Sequence, residues 1–129
     1  MPTFQLNKLV RDKLREIYAG LNQKAKYKKL TPREHKRQLI RKITEEANEI
    51  DIDSSISEIT GEIADLRQVL DDTMSLYGIS EEQVKASQRI SFDKKGGFII
   101  GTYVETLELT DDDEWVDYYR KRPDIFPEE

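Results

Sequence analysis

Residues 31–77 read TPREHKRQLIRKITEEANEIDIDSSISEITGEIADLRQVLDDTMSLY, and chemistry alone places two helix starts and one helix stop in or beside them. Thr31-Pro32-Arg33-Glu34 joins an N-cap hydroxyl, a proline at the first helical position and a glutamate able to reach back to the cap amide. Leu39, Ile43, Ala47 and Ile50 follow at helical spacing and predict a helix to about Ile50. Asp51 to Ser54 form a turn. Ser55-Ile56-Ser57-Glu58 is a second capping box, after which Ile59, Ile63, Leu66, Leu70 and Tyr77 recur at helical spacing until Gly78 stops the helix. The two segments predict a helical hairpin.

Outward from the hairpin, Asn7 is placed as the N-cap of a helix to about Ala19, with Gly20 as its C′ residue and Leu6, Val10, Leu14, Ile17 and Leu21 as its apolar stripe. A basic linker, Gln23 to Leu30, follows it. On the other side Ser80-Glu81-Glu82-Gln83 caps a helix to about Asp93. Lys94-Lys95-Gly96-Gly97 and an alternating run, Phe98 to Leu109, come next, the run reading as a strand or extended arm. An acidic tail contains a turn of helix at Trp115 to Arg120. The fold class expected is all-α, a four- to five-helix bundle with a short C-terminal arm or hairpin; residues 1–109 form the domain and 110–129 a tail packed on it.

Composition sets further bounds. Of 129 residues, 36% are hydrophobic and 36% charged, while a folded monomer of this size exposes roughly 7,000 Å². The core is therefore thin, and a homodimer or higher homo-oligomer is expected to complete it. The absence of cysteine excludes disulfides and thiolate metal sites. The longest aliphatic or aromatic run is Phe98-Ile99-Ile100, against the ~20 residues a membrane helix needs, and the N-terminus lacks the apolar stretch of a signal peptide. A soluble, cytoplasmic protein is expected. Charge is segregated: residues 1–42 carry a net +10, residues 43–82 a net −11 and residues 83–129 a net −4. Acids collect cations and bases collect phosphate.

The acidic stretch is ordered. Glu46 and Glu49 stand three apart on the second helix, and Glu62 and Asp65 three apart on the third, so each pair shares a helix face. Both pairs border the apolar stripes, where like charges repel unless a proton or cation sits between them. Four or more carboxylate oxygens suit Mg²⁺ or Mn²⁺. A tight hairpin would leave the pairs out of level, so the turn must overshoot to align them. Two rival metal sites fail on their own residues. An EF-hand from Asp51 has Ile56 where glycine is required, and a di-iron bundle needs two histidines where the chain has only His35.

At these residues the sequence resembles the all-α nucleoside triphosphate pyrophosphohydrolases, the MazG-like group that includes phosphoribosyl-ATP pyrophosphohydrolase. The group's Glu-Glu-x-x-Glu and Glu-x-x-Asp stand here as Glu45-Glu46-Ala47-Asn48-Glu49 and Glu62-Ile63-Ala64-Asp65. Asn7-Lys8-Leu9-Val10-Arg11-Asp12-Lys13-Leu14 and Lys95-Gly96-Gly97-Phe98 resemble a phosphoribosyl-ATP-pyrophosphohydrolase-like subgroup. The resemblance implies hydrolysis between the α and β phosphates of a nucleotide, giving a monophosphate and pyrophosphate. It also implies Glu46, Glu49, Glu62 and Asp65 as Mg²⁺ ligands, with Mn²⁺ as an alternative, and Glu45 and Glu46 as catalytic groups, Glu45 orienting the attacking water or a further ion.

The bases then gain roles. Lys8, Arg11 and Arg15 form a cationic stripe on the expected first helix, able to reach phosphate oxygens, and Lys94 and Lys95 stand before two glycines whose amides can approach an anion. Trp115, Tyr118 and Tyr119 read as an aromatic patch docking the tail. The alternative function is a non-enzymatic helical module binding nucleic acid through the basic N-terminal part, against which the twelve acids of residues 43–82 argue.

Overall fold

A computed structural model describes residues 1–129. It has five helices and no strand: α1 (Leu14–Gly20), α2 (Pro32–Asn48), α3 (Ile56–Tyr77), α4 (Glu81–Lys95) and α5 (Val116–Arg120). The all-α expectation holds. No helix is long and apolar enough to cross a membrane. The chain divides into two compact units, Met1–Ile90 and Ser91–Glu129, so the arm after Gly97 falls in the same unit as the tail.

The first unit is built on the α2–α3 hairpin. The Thr31 hydroxyl accepts from the Glu34 amide, and the Glu34 carboxylate accepts from the Thr31 amide. Lys28 of the basic linker also binds that carboxylate at 2.8 Å, which gives one linker cation a structural task. This bond, with those to Thr31, holds the Glu34 carboxyl at about 2. Ser55 Oγ caps α3 by accepting from the Glu58 amide. Gly78, at φ 68°, ends α3 with the Gly78 and Ile79 amides bonded back to Ser75 and Met74. A left-handed residue is needed there, and glycine takes it without strain. The Ser80–Gln83 box opens α4 as its sequence predicts.

The core is thinner than the composition implies, since the chain exposes 12491 Å². Leu39 (4% exposed) and Val69 (9%) are its buried apolar residues. Ile43, Ile59 and Leu66 are half-buried, whereas Ile50, Ile63, Leu70 and Tyr77 are exposed. On α3 the covered residues Ile59, Leu66 and Val69 are flanked by a more exposed row, Ile56, Ile63, Leu70 and Tyr77, spaced seven apart, and Lys36 of α2 stands over the Tyr77 ring at 4.7 Å.

Two expectations are corrected near the N-terminus. The first helix starts at Leu14, not at Asn7. Asn7 has φ 47°, a left-handed conformation that turns the chain instead of capping a helix, and Lys8 and Arg11 reach from the irregular segment to acids of α2 and α3. Gly20 is the last residue of α1 and not its C′ residue. Asn22 takes the C′ place at φ 57°, with the Asn22 and Gln23 amides bonded to Ala19 and Tyr18; asparagine tolerates that conformation better than most residues.

In the second unit, Phe98 to Leu109 forms no strand. Phe98, Ile99 and Ile100 are all exposed, so the alternation has no covered face to sort against and no partner to pair with. Trp115, Tyr118, Tyr119 and Phe126 pack edge-to-face or tilted against one another, with centroids 5.0–6.1 Å apart.

Candidate metal and phosphate site

The carboxylates of α2 are arranged by the same spacing that builds the hairpin. Glu46 stands seven residues after Leu39, hence on the covered side of the helix, and is 9% exposed. On α3, Glu62 stands seven residues before Val69. Each buried apolar residue thus stands one heptad from a carboxylate, so an antiparallel pairing with Leu39 and Val69 level would also put Glu46 and Glu62 level. In the Glu49–Ser55 connection the Asp51 carboxylate accepts from the Asp53 amide at 2.8 Å.

One carboxylate oxygen each from Glu45, Glu46 and Glu49 lies within 4.8 Å of the others. Burial first, and then the neighbouring Glu49 charge, push the Glu46 carboxyl up, with Lys42 acting against them. Glu45 moves the other way, chiefly through its bond to Lys42. Lys42 is pulled down by burial, but its bonds and attraction to Glu45 and Glu46 outweigh this and raise it. Its Nζ lies 3.1 Å from Glu45 Oε1 and 3.5 Å from Glu46 Oε1.

Glu62 and Asp65 lie outside this compact set. Oε2 of Glu62 is buried and has no hydrogen-bond partner. Asp65 accepts from Arg11 Nη2 at 2.7 Å, and Glu45 accepts from Lys8 Nζ at 3.4 Å. Lys8 and Arg11, three residues apart, therefore tie the carboxylate regions of α2 and α3 to one short segment. Both were expected on a helical stripe with Arg15. The guanidinium of Arg15 instead stacks over the Tyr27 ring at 3.9 Å. Lys94 and Lys95 are exposed last-turn residues of α4, in the second unit, and Gly96 at φ 79° stops that helix.

Lys42 is the site residue that sequence reading passed over. Its signal was present, since it precedes Glu45 by three and Glu46 by four residues, the spacing of side chains that meet on one helix face. No family model, no curated protein and no solved structure matches this chain.

Proposed function

We propose that the protein is a Mg²⁺-dependent nucleotide pyrophosphohydrolase of the MazG-like kind, working as a homo-oligomer in the cytoplasm. The observation that carries the reading is the unpartnered buried Oε2 of Glu62. A buried carboxylate oxygen without a donor is costly, and a divalent cation shared with the α2 carboxylates would satisfy it. Glu46, whose charged form is disfavoured by burial and then by the neighbouring Glu49 charge, fits the same role.

Glu46, Glu49, Glu62 and Asp65 would hold the ion, which when bound supplies neutralisation of phosphoryl charge and a more acidic water. Arg11 and Lys8 bind phosphate oxygens, the guanidinium by two parallel donors. Glu45 orients the attacking water. As the water oxygen bonds to phosphorus, the bond to the bridging oxygen breaks, the proton passes to an α2 carboxylate, and pyrophosphate leaves with its electron pair. The exposed row Ile56, Ile63 and Leu70 of α3 supports self-association, since apolar side chains left open to water gain from being covered by a second copy.

The nucleic-acid alternative is weakened by where the positive charge goes. Lys8, Arg11, Lys28 and Lys42 are all paired with acids of the same chain. The deciding experiment is pyrophosphate release from a panel of nucleoside triphosphates with Mg²⁺ or Mn²⁺, alongside duplex-DNA mobility without metal. Release lost in Glu49→Gln and Asp65→Asn, with helical content retained, supports the hydrolase. A salt-sensitive DNA shift with no release by the unmodified protein overturns it.

A further inference from the structure

The α2–α3 hairpin has two sides. Lys36 and Glu45 stand nine residues apart on α2, two and a half turns, and so belong to opposite ones. On the Glu45 side, Lys8 and Arg11 of the N-terminal segment reach Glu45 and Asp65. On the other, the Lys36 ammonium lies 4.7 Å from the centre of the Tyr77 ring. Ile40 stands one turn after Lys36, and Leu70, Ile63 and Ile56 precede Tyr77 at seven-residue intervals, so all four share the Lys36–Tyr77 side. They are 43–86% exposed. The one extensive contact between helices is α2 with α3.

Resting on the homo-oligomer reading above, we propose that this apolar side of the hairpin is the contact between copies: two hairpins pack face to face about a two-fold axis along the helices, each α2 against α3 of the second copy. The chain exposes 12491 Å², where a folded monomer of its mass exposes roughly 7,000 Å². That difference is several times the ~800 Å² each partner gives to a standard interface. Charge selects the occupant. α2 carries five bases against three acids, and α3 one base against five acids. Pairing α2 with α3 of another copy sets opposite signs together at both halves of the contact, whereas α3 against α3 sets acids against acids. The two-fold operation also makes the contact isologous, so one open apolar face covers another of the same chemistry. The Glu45–Asp65 side, with Lys8 and Arg11, stays open to solution.

The test is light scattering on the full chain, with circular dichroism as the check on folding. The unmodified protein should have the mass of at least two chains. Ile40→Glu and Ile63→Glu, one from each helix, should each weaken association by about tenfold or more, the scale for disrupting a central apolar contact. An oligomer that persists unchanged in both overturns this face while the homo-oligomer reading stands. A single-chain mass for the unmodified protein removes that reading, and this inference with it. The pairing is read by cross-linking, since the chain has no cysteine of its own. An axis along the helices keeps their levels, so Ile40 of one copy comes over the Leu70 turn of the other. Ile40→Cys and Leu70→Cys chains, refolded together and treated with a short bis-maleimide, should give more mixed product than Ile40→Cys homodimer. The reverse ratio overturns the α2–α3 pairing. Should the glutamate variants fail to fold, the cross-link ratio decides alone.

Discussion

Arg11 Nη2 donates to Asp65 Oδ1 at 2.7 Å across 54 residues of chain, and this ion pair joins the N-terminal segment to the third helix. Arg11 and Asp65 are about half exposed or more, so the pair contributes little to stability. What it fixes is placement: a guanidinium is held beside the carboxylate of Asp65, the position the proposed function assigns to phosphate binding.

Arg11→Gln is therefore expected to change unfolding free energy by less than about 1 kcal/mol and to raise KM for nucleotide well above its effect on kcat. Urea unfolding and steady-state pyrophosphate release check the two halves separately. A large stability loss with unchanged KM would make Arg11 a purely structural residue.

Leu39→Ala and Val69→Ala test how thin the core is. Each removes one of the two buried apolar side chains, and the leucine change is expected to cost about 2–3 kcal/mol, the low end for such truncations because the open surroundings can close over the gap. Chemical denaturation with a constant slope would show it.

Glu46 makes the metal-free protein sensitive to pH. Its folded carboxyl is raised, so the folded state binds this proton more tightly than the unfolded chain does. Stability from this group is present at low pH and falls as pH rises past roughly 4.3, the ordinary glutamate value, toward the folded one. Glu46→Gln removes that loss. The melting-temperature gap in favour of the variant should widen from acid to neutral pH, and Mn²⁺ should narrow or reverse it. Glu45 and Glu34, both lowered, contribute in the opposite sense, and their stabilisation disappears as pH falls through their folded values.

Leu70→Glu places a charge in the exposed apolar row of α3 that includes Ile56 and Ile63. Light scattering should then report a lower mass than for the unmodified protein, with helicity retained, if that stripe is the contact between copies. An unchanged oligomer would locate the contact elsewhere.

Gly61→Ala is expected to stabilise the chain by about 1 kcal/mol, the helix-interior difference between the two residues, because a Cβ there meets nothing within 4 Å. Thermal unfolding measures it. Destabilisation would mean that a second copy or ligand approaches this turn closely.

What the sequence determined by itself is everything that depends on neighbours in the chain. The Thr31–Glu34 and Ser80–Gln83 boxes, the Ser55 cap, the Gly78 stop and the grouping of Glu45, Glu46 and Glu49 on one helix were legible, because caps and i, i+3 or i, i+4 contacts span a single turn. The tertiary structure decided the rest. Asn7 to Lys13 has the composition of a helix start, yet it stays irregular where Lys8 and Arg11 reach acids 37 and 54 residues away. Which side of α3 is covered, why Glu62 has an orphaned oxygen, and why the Phe98–Leu109 alternation pairs with nothing depend on which surfaces meet. Local propensity carries no information about a partner distant in the chain, and burial is settled only when that partner arrives.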